Sequence, residues 1–203
     1  MPITFYSATD EKRKLEEAKR KRREELAFNP AQPRNPKGSA TGGEWTGKGS
    51  GKSTLEKTED IIVKQAYESV VTFDANGKTI FWKDGDRDHV QISDGELAYL
   101  KGNTLTHNHP SSSTFSVDDY GLFFISQLKE MRAVGKDYTY VLTAPDGYDY
   151  SMGKGFEYRL GMAQMKVKSS GLEPADWIES NHLTSIEWAK EMGLDYKRIK
   201  RSE

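Results

Sequence analysis

The chain has 203 residues, 35% of them hydrophobic, and a mean hydropathy of −0.79, which is too polar for one compact unit throughout and leaves room for one modest core. Its 30 basic residues against 31 acidic ones give a net charge of −1, so bulk charge makes no case for nucleic-acid binding, and no apolar run reaches the roughly twenty residues needed to cross a bilayer. With no cysteine, disulfides and Cys-ligated zinc are excluded, and His and carboxylate remain as the strong metal ligands. The N-terminus lacks a signal-peptide hydrophobic segment, so the expectation is a soluble protein held inside a cell or packaged in a particle.

Residues 1–27 read as a charged helical arm. Ser7-x-x-Asp10 suits a helix start, and Glu16 with Arg20 and Glu17 with Lys21 are spaced for helical ion pairs. Leu15, Ala18 and Leu26 are too few for a core face, so the arm is expected to stay solvated or dock on a protein partner. Its mixed signs weigh against nucleic acid, although Lys19 to Arg23 is a basic run. Residues 28–57 read as a Pro/Gly-rich linker. Within it, Gly51-Lys52-Ser53 invites a phosphate-loop reading, but Thr46 stands where the first glycine is required and no hydrophobic strand precedes it, so nucleotide binding is rejected. The stretch Gln32-Pro33-Arg34-Asn35-Pro36-Lys37-Gly38, continuing to Gly42-Gly43-Glu44-Trp45, resembles a segment of tailed-phage head and head-associated proteins. That resemblance implies a phage protein able to meet head proteins through its arm and linker, with Trp45 as a candidate anchor.

Residues 58–203 read as an α+β domain, a small antiparallel or mixed sheet flanked by helices. Ile61-Ile62-Val63 and the run Glu68 to Phe73 are expected to open it as strands, and the turn Asp74-Ala75-Asn76-Gly77 folds Lys78 to Trp82 back as a hairpin. Ser93-x-x-Glu96 is a capping box for a short helix. Gly102-Asn103 turns the chain into a strand at Thr104-Leu105-Thr106. A helix from Asp118 to Met131 and a strand from Tyr138 to Thr143 follow. Helices are then expected over about 156–200: one at Phe156 to Val167, and one opening with Thr184-Ser185-Ile186-Glu187 and ending at Gly193. Phe156, Leu160, Met165, Trp177, Ile186, Trp188 and Leu194 should pack these helices on the sheet, and Met152, Met162 and Met165 read as core filling rather than a cofactor box.

The chemistry concentrates in Thr106-His107-Asn108-His109-Pro110-Ser111 and the following Ser116-Val117-Asp118-Asp119. Side chains in a strand alternate, so His107 and His109 share a face while Asn108 points away. Two of the four histidines thus make half a metal site. Pro110 and three serines force a turn, and Ser116 then caps a helix whose first turn carries Asp118 and Asp119. Asp119 can swing in as a third ligand, leaving a fourth tetrahedral position to water, as catalytic zinc is held. The blander account has two solvated loop histidines and a plain Ser-x-x-acid capping box, and the box and the metal site are compatible.

This wording resembles the JAMM (JAB/MPN) metallopeptidase family, whose signature is His-x-His-Pro, a spacer, then Ser-x-x-Asp with a Glu upstream. The His107-Asn108-His109-Pro110-Ser111 run is similar above all to its RadC-type and phage-borne branches. The resemblance covers about the middle half of the chain. It implies JAB/MPN-like, cytidine-deaminase-like layering, zinc held by His107, His109 and Asp119, and Ser116 steadying the oxyanion. The spacer departs from the family: Pro110 to Phe115 is six residues, one short of the family's length.

Two glutamates compete as the base. Glu68 is preferred, as the start of the first full strand upstream of the histidines, the place from which the family supplies its base; Glu96 is nearer in sequence but belongs to a capping box. The bland account of Glu68 is an exposed strand-end carboxylate. His89 reads as a loop residue and His182 as a helix-start residue. Together these features point to a zinc-dependent hydrolase of JAMM type that cleaves a peptide or isopeptide bond in a protein substrate and acts in the host cytoplasm or on a virion. The competing account is a virion or head-associated structural or binding protein that uses the scaffold without catalysis. An HNH nuclease is disfavoured, since its three catalytic positions are dispersed over a ββα unit rather than consecutive.

Overall fold

The computed structural model describes residues 52–171, 174 and 176–201, and its compact unit starts at Ser53. The expected arm, most of the linker and Trp45 lie outside the described residues. The described part is α+β, with six strands in one mixed sheet and four α-helices. None of these helices is long and apolar enough to cross a membrane.

Helix α1 (Thr54–Ile62) starts where Ser53 and Glu56 form a reciprocal capping box. Ile61 and Ile62 therefore end a helix rather than open a strand. The box fixes the helix start inside the expected linker, and burial of Thr58, Glu59 and Ile62 gives the helix one inward face. Strand β1 (Ser69–Phe73) is buried at every position, as a central strand covered on both faces must be. It pairs antiparallel with β2 (Thr79–Asp84) through the expected turn, where Gly77 takes φ 76° and the Asp74 carboxylate accepts from the N–H groups of Asn76 and Lys78. Strand β3 (Thr104–Asn108) pairs antiparallel with β1 on its other side, setting Val70 opposite His107.

Helix α2 (Val117–Ile125) is the crossover from β3 to the parallel strand β4 (Glu130–Val134). The helix expected to run to Met131 stops early. Ser126 hydrogen-bonds back to the Leu122 carbonyl and Gln127 takes φ 52°, which breaks the helical repeat and frees Met131 for the sheet. Strand β5 (Tyr138–Thr143) follows antiparallel to β4, over the expected residues. Helix α3 (Phe156–Ser169) also matches expectation. Helix α4 (Trp177–Met192) does not begin at Thr184: Asp176 caps it, and Thr184 Oγ1 merely donates to the Ser180 carbonyl inside the helix. His182 is accordingly an interior residue of α4 rather than a helix-start residue.

After Gly193 closes α4 at φ 68°, the chain adds the edge strand β6 (Asp195–Lys200), where helix had been expected. The sheet order is β2-β1-β3-β4-β5-β6, and β3–β4 is its one parallel pair. Its faces separate by side-chain alternation. Leu105, Met131, Ala133, Tyr140 and Leu142 meet Phe123, Phe124, Trp188, Ala189 and Met192 of the later helices, while Val71, Phe73 and Val134 meet Ile62 of α1. Trp188 and Leu194 are core, and Phe156 and Leu160 are half-buried against it. Met165, Trp177 and Ile186 are instead exposed, as are Met152 and Met162, so these methionines do not fill the core.

Candidate metal centre

Strand alternation does what the His-x-His spacing suggests. His107, on the Leu105 side of β3, is buried; His109 lies one residue beyond the strand, held by its N–H on the Val134 carbonyl at 2.9 Å. Their Nε2 atoms approach to 3.0 Å. Asn108 between them turns to the other face, where its amide Nδ2 donates to the Tyr67 carbonyl at 2.9 Å and its Oδ1 accepts from Ser69 N–H at 2.8 Å. Asn108 thereby ties the histidine strand to the two residues flanking Glu68. This role was missed because both partners lie about forty positions away, and only its place as the middle residue of the motif hinted at it.

The short spacer still delivers its acid. Ser112 adopts φ 59°, in the left-handed region, and its N–H donates to the His109 carbonyl at 2.9 Å. Ser116 caps α2, and Asp119 answers in the capping box: its Oδ2 accepts from Ser116 N–H at 2.7 Å and Ser116 Oγ–H at 2.8 Å. The same carboxylate sits 3.2 Å from His107 Nε2 through Oδ1 and 3.3 Å from His109 Nε2 through Oδ2. The capping box and the ligand cluster therefore coexist in one residue.

Donor atoms bound at about 2.0 Å to the corners of a tetrahedron stand about 3.3 Å apart. The two imidazole nitrogens stand 3.0 Å apart and each faces its own carboxylate oxygen, Oδ1 at 3.2 Å from His107 and Oδ2 at 3.3 Å from His109, so His107, His109 and Asp119 are close enough together that they could hold a metal ion. The tautomer of His109 agrees. Its Nδ1 faces the carbonyls of Ser113 and Thr114 at 3.2 and 3.1 Å; carbonyls only accept, so Nδ1 carries a proton, and Nε2 is the nitrogen that would offer its lone pair to an ion once its own proton leaves. His107 has no such support, for its buried Nδ1 has no hydrogen-bond partner among the described residues.

The charges are strongly coupled. Burial pulls the His109 pKa down, but the hydrogen bond and charge of Asp119, aided by Glu68, outweigh it and raise it to about 9, so without a metal a proton supplies the missing positive charge. Burial pushes Asp119 up, and the charges and hydrogen bonds of both histidines overcome that and hold it well below the usual carboxylate range. Glu68 stands one residue before β1 with its Oε1 3.9 Å from His109 Nε2. Its pKa is raised, chiefly by burial, against the pull of the two histidines. Main-chain bonds fix its backbone on the next loop: Glu68 N–H donates to the Asp86 carbonyl and Gly85 N–H to the Glu68 carbonyl, both at 2.8 Å.

Glu68, His107, His109, Ser116 and Asp119 line one open cleft of about 360 Å³. Glu96 does not line it; Lys83 holds its carboxylate at 2.7 Å and Ser93 caps onto it. Ser116 is at the cleft, with its hydroxyl proton directed at Asp119. His89 reaches the cleft from an exposed loop, as a loop residue should. His182 is buried in α4, its Nδ1 2.9 Å from the Tyr196 hydroxyl. The chain matches no protein-family model, no curated protein and no solved structure.

Proposed function

We propose that the protein is a zinc-dependent hydrolase of JAMM type, with His107, His109 and Asp119 as zinc ligands and Glu68 as base, cleaving a peptide or isopeptide bond. The observation that carries this reading is the meeting of three convergent donors and one burial-raised carboxylate in a single open cleft. Helices on both faces of the sheet are compatible with JAB/MPN-like layering. A ligand set of two imidazoles and a carboxylate suits zinc, and three protein ligands leave a position open, as catalytic sites require.

Zinc, when bound, supplies Lewis-acid polarisation of a carbonyl and activation of water at neutral pH. Glu68 Oε1 takes the proton of the attacking water and returns it to the leaving amine nitrogen; a carboxylate whose pKa is raised by burial holds that proton better than an exposed one. Ser116 orients Asp119, and its Oγ–H steadies the oxyanion once it turns from the carboxylate to the substrate.

The resemblance of Gln32 to Trp45 to phage head-associated segments supports a phage-encoded protein of the host cytoplasm or the virion, and favours a second reading, a head-associated binding module without catalysis. The 3.9 Å approach of Glu68 to His109 favours hydrolysis, since a binding site needs no base there. The test is hydrolysis of a mixed panel of peptides and isopeptide-linked lysines by zinc-loaded protein. Turnover that chelation removes and zinc restores supports the hydrolase; a fully loaded protein that cleaves none of them supports the binding module.

A further inference from the structure

We infer that Gly135 and Ser112 form a positioning pair for His109, the bare Cα of Gly135 acting as the seat on which the short ligand loop folds. The inference rests on the reading of His109 as a metal ligand. The loop from Pro110 to Phe115 turns at Ser112 and comes down on the β4–β5 turn, where Gly135 N–H donates to the Tyr138 carbonyl at 2.8 Å. A Cβ on residue 135 would lie 2.8 Å from Ser112 Cα, 3.0 Å from its Cβ and 3.3 Å from its carbonyl carbon. Gly135 does not have the positive φ that other glycines of this chain show, so space and not backbone freedom requires glycine.

Two further bonds clamp the seat: Lys136 N–H donates to Ser112 Oγ at 3.1 Å, and the Tyr140 hydroxyl reaches the Ser112 carbonyl at 3.4 Å. The next two residues, Ser113 and Thr114, present the carbonyls that hold His109 Nδ1–H. On the far side Thr114 Oγ1 is pinned 3.1 Å from the Tyr196 hydroxyl. His109 itself is bonded to Val134, the residue before Gly135. A side chain at 135 therefore lifts Ser112, displaces the two carbonyls and turns the imidazole away from its partners.

The test uses the full chain titrated with Zn²⁺ and with Co²⁺ alone, reading the dissociation constant, the Co²⁺ visible spectrum and the melting temperature of the metal-free protein. Gly135→Ala is expected to weaken metal binding about 10- to 100-fold and to change the Co²⁺ spectrum. If Gly135→Ala does not fold, Ser112→Val strains the same turn from its own side, with at least tenfold weakening expected. Wild-type-like affinity and spectrum in whichever variant is measured, or a lower melting temperature with an unchanged spectrum, would overturn the inference alone. A wild type that binds neither ion overturns it together with the metal-centre reading.

Discussion

Strand β3 carries two buried polar clusters, one on each face, and they differ in whether their charges are closed. On the α1 face Glu59, almost wholly buried, accepts from Arg132 Nε at 2.5 Å and from Thr106 Oγ1 at 3.2 Å, with Arg201 at 3.8 Å. That carboxylate meets its guanidinium within the chain. On the opposite face His107, His109 and Asp119 bring three donors together, and among the described residues no Lys or Arg lines their cleft. A cluster that completes itself within the chain has a structural role, whereas one that brings three donors together without a guanidinium or ammonium could take a cation from solution.

The largest effect that sharpens this contrast is catalytic. Glu68→Gln should lower the hydrolytic rate by about 10²- to 10⁴-fold while zinc stays bound, read by turnover beside metal content; retained activity would move the base elsewhere. Arg132→Ala breaks the closed cluster instead. Leaving Glu59 buried beside only the more distant Arg201 should cost roughly 3–5 kcal/mol in denaturant unfolding without changing metal stoichiometry, and a neutral result would deny that the pair is structural.

Metal addition comes next in size. Zinc at a hundred times its dissociation constant should stabilise the wild type by about 2.7 kcal/mol and Arg132→Ala by the same amount, measured as the shift in unfolding free energy. The pH response is smaller. Because His109 holds its proton up to about pH 9, an ion must displace it, and metal affinity should rise about tenfold per pH unit from pH 7 and flatten above pH 9. The folding linkage has the opposite sign. His109 is raised above its ordinary 6.5, so its contribution to metal-free stability is full below pH 6.5 and lost as pH climbs through about 9. Titrations of both quantities across pH 6–10 would expose a wrong sign in either.

The site was legible in the sequence where its geometry is local. Period-two alternation put His107 and His109 on one face, and the Ser116–Asp119 box spans four residues, so neither needed the fold. The β1–β2 hairpin and β5 were legible for the same reason: each has a β-branched or aromatic run, and the hairpin has a Gly-containing turn. Elsewhere local signals competed. Ile61-Ile62-Val63 has strand composition, but the Ser53 cap and the inward Ile62 settle it as helix. Strands β4 and β6, Glu-Met-Arg-Ala-Val and Asp-Tyr-Lys-Arg-Ile-Lys, have weak strand composition and exist because a neighbouring strand offers them a ladder. What holds the site in place was hidden altogether, since Asn108 acts on Tyr67 and Ser69, and Ser112 rests on Gly135, across contacts between segments far apart in the chain.

The most direct test of the open-cluster account is the metal content of the purified protein by elemental analysis, alongside His107→Ala/His109→Ala. The account predicts about one ion per chain, lost in the double variant and retained in Arg132→Ala. No bound metal after saturation with zinc, or an ion that survives loss of both histidines, would contradict it.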